Sequence, residues 1–339
     1  MKLVAVSRLK PGMVVARSIF GNTGQRLLRQ GVEITDRYIQ QLQRYGIGVI
    51  YVSTGQDVVP RDVISDETRQ QAVRETKRVL QNVQRGAALE MESIHEVLVK
   101  IIDELFLQDD IMVNLVDIRS HDEELFSHSV NVAILSVITG IELELSQEEL
   151  QTLATVGLLH DVGRLFSDDE QHPVQGREIL ERNGNIESKV IRSVYQHHEK
   201  WDGTGYPQGL AGKEITRLSR IVALADKFDR MSANNRYPIE EVIAYIMAMS
   251  RIEFDPQIVR AFLNCVSFYP VGTRVELNNG SSGYVVEANR GFPTRPIVRV
   301  DRNVFGTLDP SVDLNLLEHP TYFVLRRQED LENLGEAHD

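Results

Sequence analysis

H-H-E-K-W-D-G-T-G-Y-P, residues 197 to 207, places two adjacent imidazoles, two carboxylates and a Gly/Pro-rich turn within eleven residues. Upstream, L-L-H-D-V-G-R at 158 to 164 makes His160 and Asp161 consecutive. Imidazole and carboxylate at this density are metal-ligand chemistry, suited to Mn, Fe or Zn. Ser146 and Glu149 form a capping-box signature before L-Q-T-L-A-T-V-G-L-L, predicting a helix that runs into His160 and Asp161 and ends near Gly163. His197 and His198 follow the apolar run V-I-R-S-V-Y-Q, and Asp226 closes R-I-V-A-L-A-D. Glu124 and His128 are spaced i, i+4 and share one helix face, while His172 precedes Pro173 after a loop. Ligands drawn from several helices predict a helical core with the site inside it, a usual arrangement in bundles.

A lone histidine on an apolar helix is ordinarily a hydrogen-bonded structural residue. That reading fails when H-D and H-H pairs and an apolar-flanked Asp recur in one region. Neighbouring helical side chains diverge by about 100°, so consecutive ligand pairs favour more than one ion. Glu124 has a bland alternative, because Asp122 and Glu123 beside it make a solvated acidic helix start. Asp202 and Gly203 suit a tight turn, and Trp201 reads as packing.

The rest of the chain divides around this core. Residues 1–58 read as a small α/β unit, with strand-like Leu3 to Val6 and Met13 to Ile19, a helix capped by Thr35 and ended by Gly46, and G-V-I-Y-V as a returning strand. Residues 59–109 are polar connecting helices whose apolar positions (Val79, Val83, Leu98, Ile101, Ile102, Leu105) could seam a homodimer. His95, alone there, reads as structural. The core spans 110–266. Residues 267–328 alternate around Gly/Asn turns as a small β-barrel-like domain, and 329–339 form a charged tail. The expected class is mainly α, flanked by a small N-terminal α/β unit and this C-terminal β domain.

Net charge of −12 argues against binding nucleic-acid polymers, which need a basic face. It does not exclude a small phosphorylated substrate, since metals and a few arginines offset a local field. Cys265 is the single cysteine; it excludes an internal disulfide and a thiolate metal cluster and reads as a small core residue. No long apolar signal region opens the chain, and no run approaches the ~18 apolar residues of a membrane helix. A cytoplasmic location without a membrane span is the expectation.

H-D-V-G-R at 160–164, H-P at 172–173, H-H-E-K-W-D-G-T-G-Y-P at 197–207 and R-I-V-A-L-A-D at 220–226 together resemble the HD-GYP subgroup of HD-domain phosphohydrolases, over roughly residues 115 to 265. L-K-P-G-M near the start and F-Y-P-V-G-T-R-V after the core are similar to accessory units found beside that domain. The resemblance implies a cofactor of two or three divalent ions, iron or manganese, held by His128, His160, Asp161, His172, His197, His198 and Asp226, with Asp161 bridging two of them. Glu124 falls where some members hold a third ion. The implied reaction opens cyclic di-GMP to pGpG, and in a second round to GMP, through a metal-bridged hydroxide. The Gly205–Tyr206–Pro207 turn is read two ways: as a loop contacting ligand or a GGDEF-type cyclase partner, and as a rigid turn positioning the H-H-E helix end.

Three departures from the family pattern stand out. Arg164 replaces a lysine after H-D-x-G; it keeps the charge but changes the geometry, and is read as a catalytic, phosphate-contacting residue. After Asp226 the chain reads K-F-D-R-M-S-A-N-N-R-Y-P, with Arg236 offset by one position, so Tyr206, Arg164 and Arg236 form the candidate substrate-binding set. Asp229 and Arg230 stand where a D-A pair is usual, adding a charge to the pocket wall. Two alternatives remain beside turnover: a cyclic-dinucleotide-binding signalling module with weak or no catalysis, and an HD phosphohydrolase acting on another nucleotide.

Overall fold

The N-terminal unit forms because its apolar residues alternate along short strands and recur on one helix face. The computed structural model describes residues 2–16, 18–20, 26–53, 63–107, 124–167, 170–183, 185–233, 237, 239–269 and 271–327. Strand β1 (Lys2–Ala5) pairs antiparallel with β4 (Val49–Val52), and β2 (Ile19–Phe20) with β3 (Arg26–Leu28). Between β3 and β4, helix α1 (Asp36–Arg44) starts at Thr35, whose hydroxyl accepts from Tyr38 N at 3.4 Å. Gly46 at φ +67° follows the helix end, as the sequence predicts. Val6, Val15, Ile19, Ile34, Leu42 and Ile50 close a core of their own.

The middle of the chain is helical: α2 (Asp66–Gln84), α3 (Met91–Phe106), α4 (Glu124–Glu142), α5 (Gln147–Leu159), α6 (His172–Arg182), α7 (Ser188–Tyr195), α8 (Arg217–Ser232), α9 (Ile239–Ala248) and α10 (Pro256–Asn264). Helix α4 is the spine, packed against α5 and α8 and buried on nearly every side from His128 to Gly140. A helix apolar all round belongs inside a core. By length and hydropathy its Leu125–Glu142 window would also pass for a membrane span, contrary to the expectation that no run comes near one, but 72% of that window is buried among its neighbours. The capping box forms as expected: Ser146 N donates to Glu149 Oε2 at 2.9 Å, and Glu149 N to Ser146 Oγ at 3.3 Å.

Helices α2 and α3 do more than connect. Val79, Leu80, Val83, Leu98, Ile101, Ile102 and Leu105 belong to the same buried cluster as Val130, Leu153 and Phe228. The stripe expected to seam two chains is therefore covered within one. His95 is exposed, and Cys265 is buried at 4% exposure.

At the C-terminus β5 (Arg274–Leu277), β6 (Ser282–Glu287), β7 (Ile297–Asn303), β8 (Gly306–Asn315) and β9 (Val324–Arg327) form one antiparallel sheet in the order β8-β7-β6-β5-β9. Among the described residues β8 and β9 are opposite edges, so this is an open sheet bent by register shifts. Val275, Val285, Val298 and Leu316 pack beneath it.

Two glycines bring the metal-ligand segments together by allowing backbones to touch. A Cβ at Gly157 would stand 2.7 Å from Ala133 Cα, and one at Gly163 would stand 2.0 Å from His172 O. The first contact closes α5 onto α4; the second seats the 3-10 turn Val162–Leu165 on the start of α6. Both neighbours are backbone and cannot rotate away. Gly163→Ala is expected to destabilise the chain by about 3 kcal/mol, the upper end for overpacking, as a lowered denaturation midpoint. An unchanged midpoint would refute the close-contact argument.

Candidate metal centre

Each candidate ligand sits at a helix position that aims it inward. His128 lies one turn into α4, and His160 and Asp161 follow the end of α5, where the chain turns from α-helix to 3-10. His172 opens α6, His197 and His198 follow α7, and Asp226 lies inside α8. These residues are buried, with His160 and His197 at 0% exposure and Asp161 at 1%, except for His198, which is partly exposed.

They separate into two sets. In one, His128, His160, Asp161 and Asp226 bring one ligand atom each to within 4.8 Å of one another; in the other, Asp161, His172, His197 and His198 do the same. Asp161 serves both through different oxygens. Its Oδ1 is 3.2 Å from His172 Nε2 and 3.7 Å from His197 Nε2, and its Oδ2 is 3.5 Å from His160 Nε2 and 3.7 Å from His128 Nε2. Asp226 Oδ1 lies 2.9 Å from His128 Nε2 and 3.5 Å from His160 Nε2.

The outer ring nitrogens fix which lone pairs face the centre. His160 Nδ1 donates to Gly157 O at 2.7 Å and His197 Nδ1 to Val194 O at 2.6 Å. In a neutral ring each Nε2 is then an acceptor. Among the described residues His160 Nε2 is buried with no hydrogen-bond partner closer than the 3.5 Å approaches of Asp161 and Asp226. His172 Nε2 has His198 Nε2 at 3.0 Å and His197 Nε2 at 3.3 Å. Three imidazole nitrogens thus meet at one point, where a cation would take a lone pair from each. The donor chemistry and the orphaned nitrogen fit divalent metal ions, with the outer partners holding each ring in place as metal-bound histidines require.

Burial and mutual charge set the ionisation of the cluster. Burial alone would raise the Asp161 carboxyl, but His160, hydrogen bonds to His172 and His197, and Arg230 hold it well below the usual range. Asp226 behaves likewise: burial opposes its charge, and Arg230 together with His128 and His160 overcomes this. Burial would depress His128, yet its hydrogen bonds to Asp226 and Asp229 push it up to about 9. His198 goes the other way, down to about 2, because burial and the adjacent His197 disfavour its cation. Burial pushes the Tyr206 phenol up to about 12.

Around the ligands lies a supporting layer. His128 Nδ1 is 2.6 Å from Asp229 Oδ2, and Asn131 Nδ2 donates to Asp229 Oδ1 at 3.2 Å. Glu199 accepts from Gln208 N at 2.6 Å and Leu210 N at 2.9 Å, so the glutamate of H-H-E anchors the loop that carries Gly-Tyr-Pro. Asp202 accepts from Thr204 N at 3.0 Å, the turn role read from sequence. Tyr206 stacks on His198 with ring centroids 4.9 Å apart. Trp201 packs under the Arg220 guanidinium.

Two arginines reach the shared carboxylate. Arg164 Nε is 2.9 Å from Asp161 Oδ2. Arg230 Nε is 2.6 Å from Asp226 Oδ1, while its terminal nitrogen donates to Asp161 Oδ2. Glu124 is the first residue of α4, but its side chain lies outside the described part, as does Arg236 entirely. Sequence reading placed Asp229 and Arg230 on the pocket wall without assigning them partners. The available signal was spacing: both follow Asp226 by three and four residues and share its helix face. Glu199 carried no such signal, because its partners are backbone amides across a loop.

Residues 125–231 match the HD domain family, and residues 274–332 the KOW domain associated with HD domain. The chain is 29% identical over 243 residues to a cyclic di-GMP phosphodiesterase of Pseudomonas aeruginosa, covering 66% of this chain and 58% of that protein. It is 29% identical over 164 residues to a 3'3'-cGAMP-specific phosphodiesterase of Vibrio cholerae, covering 42% of this chain and 35% of that one. The chain thus spans less than two thirds of the length of these relatives. Its fold is similar to that of an HDG"Y"P protein from Bdellovibrio bacteriovorus, with a TM-score of 0.53 and 19% identity, over 77% of this chain and 97% of the other. The His/Asp double cluster thus lies inside the stretch that matches the HD domain family, with a Gly-Tyr-Pro turn beside it and the match to the HD-associated KOW domain after it, an arrangement similar to that of HD-GYP proteins.

Proposed function

We propose that this chain is a metal-dependent phosphodiesterase that hydrolyses cyclic di-GMP, or a closely similar cyclic dinucleotide, to pGpG and then to GMP. The observation that carries this reading is the shared carboxylate: Asp161 offers one oxygen to each of two His/Asp sets. The donor atoms are imidazole nitrogens and carboxylate oxygens with no thiolate, which suits iron or manganese. His128, His160, Asp161 and Asp226 would hold one ion, and Asp161, His172, His197 and His198 another. Bound there, divalent ions supply Lewis acidity toward phosphoryl oxygens and lower the pKa of water.

The chain's own groups do the rest. Arg164, with its side chain 19% exposed beside Asp161, can turn N–H donors to a phosphate oxygen, where a guanidinium binds bidentately. Tyr206 covers one side of His198 and leaves part of its ring exposed for a base. Asp229 keeps His128 oriented with Nε2 inward. Glu199 holds the Gly-Tyr-Pro loop, the surface we assign to a GGDEF-type cyclase partner. The relatives named for cyclic di-GMP and for 3'3'-cGAMP support a guanine-containing cyclic dinucleotide as substrate. A substrate of this kind supports a cytoplasmic site of action. A second reading, a cyclic-dinucleotide-binding module with weak turnover, is favoured by Arg230, which already neutralises Asp161 and Asp226.

Protein purified without oxygen, assayed for metal content and incubated with cyclic di-GMP, is expected to carry more than one metal ion per chain and to form pGpG. Bound nucleotide without product would favour the second reading. Asp161→Asn keeps the side-chain volume and is expected to abolish turnover and lower metal content while the helical circular dichroism is unchanged. Full activity in that variant would reject the shared-ligand assignment. Asp229→Ala releases the His128 ring and is expected to weaken metal binding about 10–100-fold, the usual effect of losing such a partner. Wild-type metal affinity there would show that the Asp229–His128 contact is not needed.

A further inference from the structure

Arg230 occupies an unusual place for a cation. Its guanidinium contacts Asp226 Oδ1 and Asp161 Oδ2, and these are the carboxylate oxygens that His128 and His160 also face. The Asp161/His172/His197/His198 set differs: its carboxylate atom is Asp161 Oδ1, which Arg230 does not contact. Arg164 also touches Asp161 Oδ2, whereas Arg230 spans both carboxylates of the first set.

A divalent ion held by this set would draw on the same two oxygens that the Arg230 guanidinium contacts, so the two compete. Water does little to compensate these carboxylates, since Asp161 is 1% and Asp226 4% exposed, and buried charge needs a counter-charge. Arg230, one helical turn after Asp226 on α8, keeps its side chain 38% exposed. It can therefore swing from the carboxylates to solvent by rotamer changes along its stem, without moving the backbone.

We propose that Arg230 is a tethered competitor for the His128/His160/Asp161/Asp226 metal set, so that this set loads only when a divalent ion displaces the guanidinium, whereas the His172/His197/His198 set loads freely. The inference rests on the metal-centre reading above and adds an order of loading to it. Turnover that needs both sets then follows the supply of divalent metal.

The test is Mn²⁺ binding by equilibrium dialysis, with free and bound ion followed by electron paramagnetic resonance. Wild-type protein is expected to bind one ion tightly and a second at least tenfold more weakly. Arg230→Met keeps the bulk of the stem without the charge, and Arg230→Ala removes both. Each is expected to tighten the second site at least tenfold and leave the first within about twofold, while Arg230→Lys, a single-point cation, falls between. In the Arg230→Met background, His128→Ala is expected to remove the gained ion and retain the other. Two ions of equal affinity in wild type, unchanged in Arg230→Met, would overturn the competition and leave the metal reading standing. Binding of no ion by any variant would overturn the metal reading, and the proposal with it.

Discussion

The carboxylate of Asp161 is the constraint around which this chain is arranged. An ionised carboxylate inside a helical core costs several kcal/mol unless cations and hydrogen-bond donors surround it. Here four histidines and two arginines, drawn from five separate segments, converge on its two oxygens. None of those segments could bring that many partners by itself. Burial and charge thus act together: the bundle excludes water, and the polar cluster is tolerated because its members satisfy one another or a bound cation.

That arrangement depends on close backbone contact more than on hydrophobic area. Gly157 lets α5 lie against Ala133 of α4, which leaves the His128 and His160 rings 5.1 Å apart. Gly163 lets the turn after Asp161 lie on the first residue of α6. A methyl group at either place would push the ligand-bearing segments apart. Ligand geometry of this kind tolerates only fractions of an ångström, so the packing of small residues outside the site sets its chemistry.

Local signals were the most legible part of the sequence. The Thr35 cap, the Ser146/Glu149 capping box and the turn at Asp202 depend on neighbours within four residues, and each forms as read. The candidate ligands stood out for a different reason, the recurrence of His/Asp adjacency, and the structure brings them together in two sets. Features set by distant partners were not readable. Helices α2 and α3 carry a polar composition that suits a connector, yet their apolar stripe is needed to cover α4 and α5. The C-terminal strands alternate as in a barrel, but whether β8 meets β9 depends on cumulative twist and register, which no short window contains.

Asp229 and Arg230 show where residue type alone misleads. On a helical wheel both extend the polar face opened by Asp226, and the sequence reads them together as added charge on the pocket wall. The structure sends them to different tasks. Asp229, 2% exposed, holds His128 from behind; Arg230, from the rim, reaches across to the front of the same carboxylate group. The about 100° between successive helical positions is enough to put one side chain behind the ligand layer and the other before it. A wall residue and a competing cation are thus one position apart, and only the position of α8 against α4 and α5 distinguishes them.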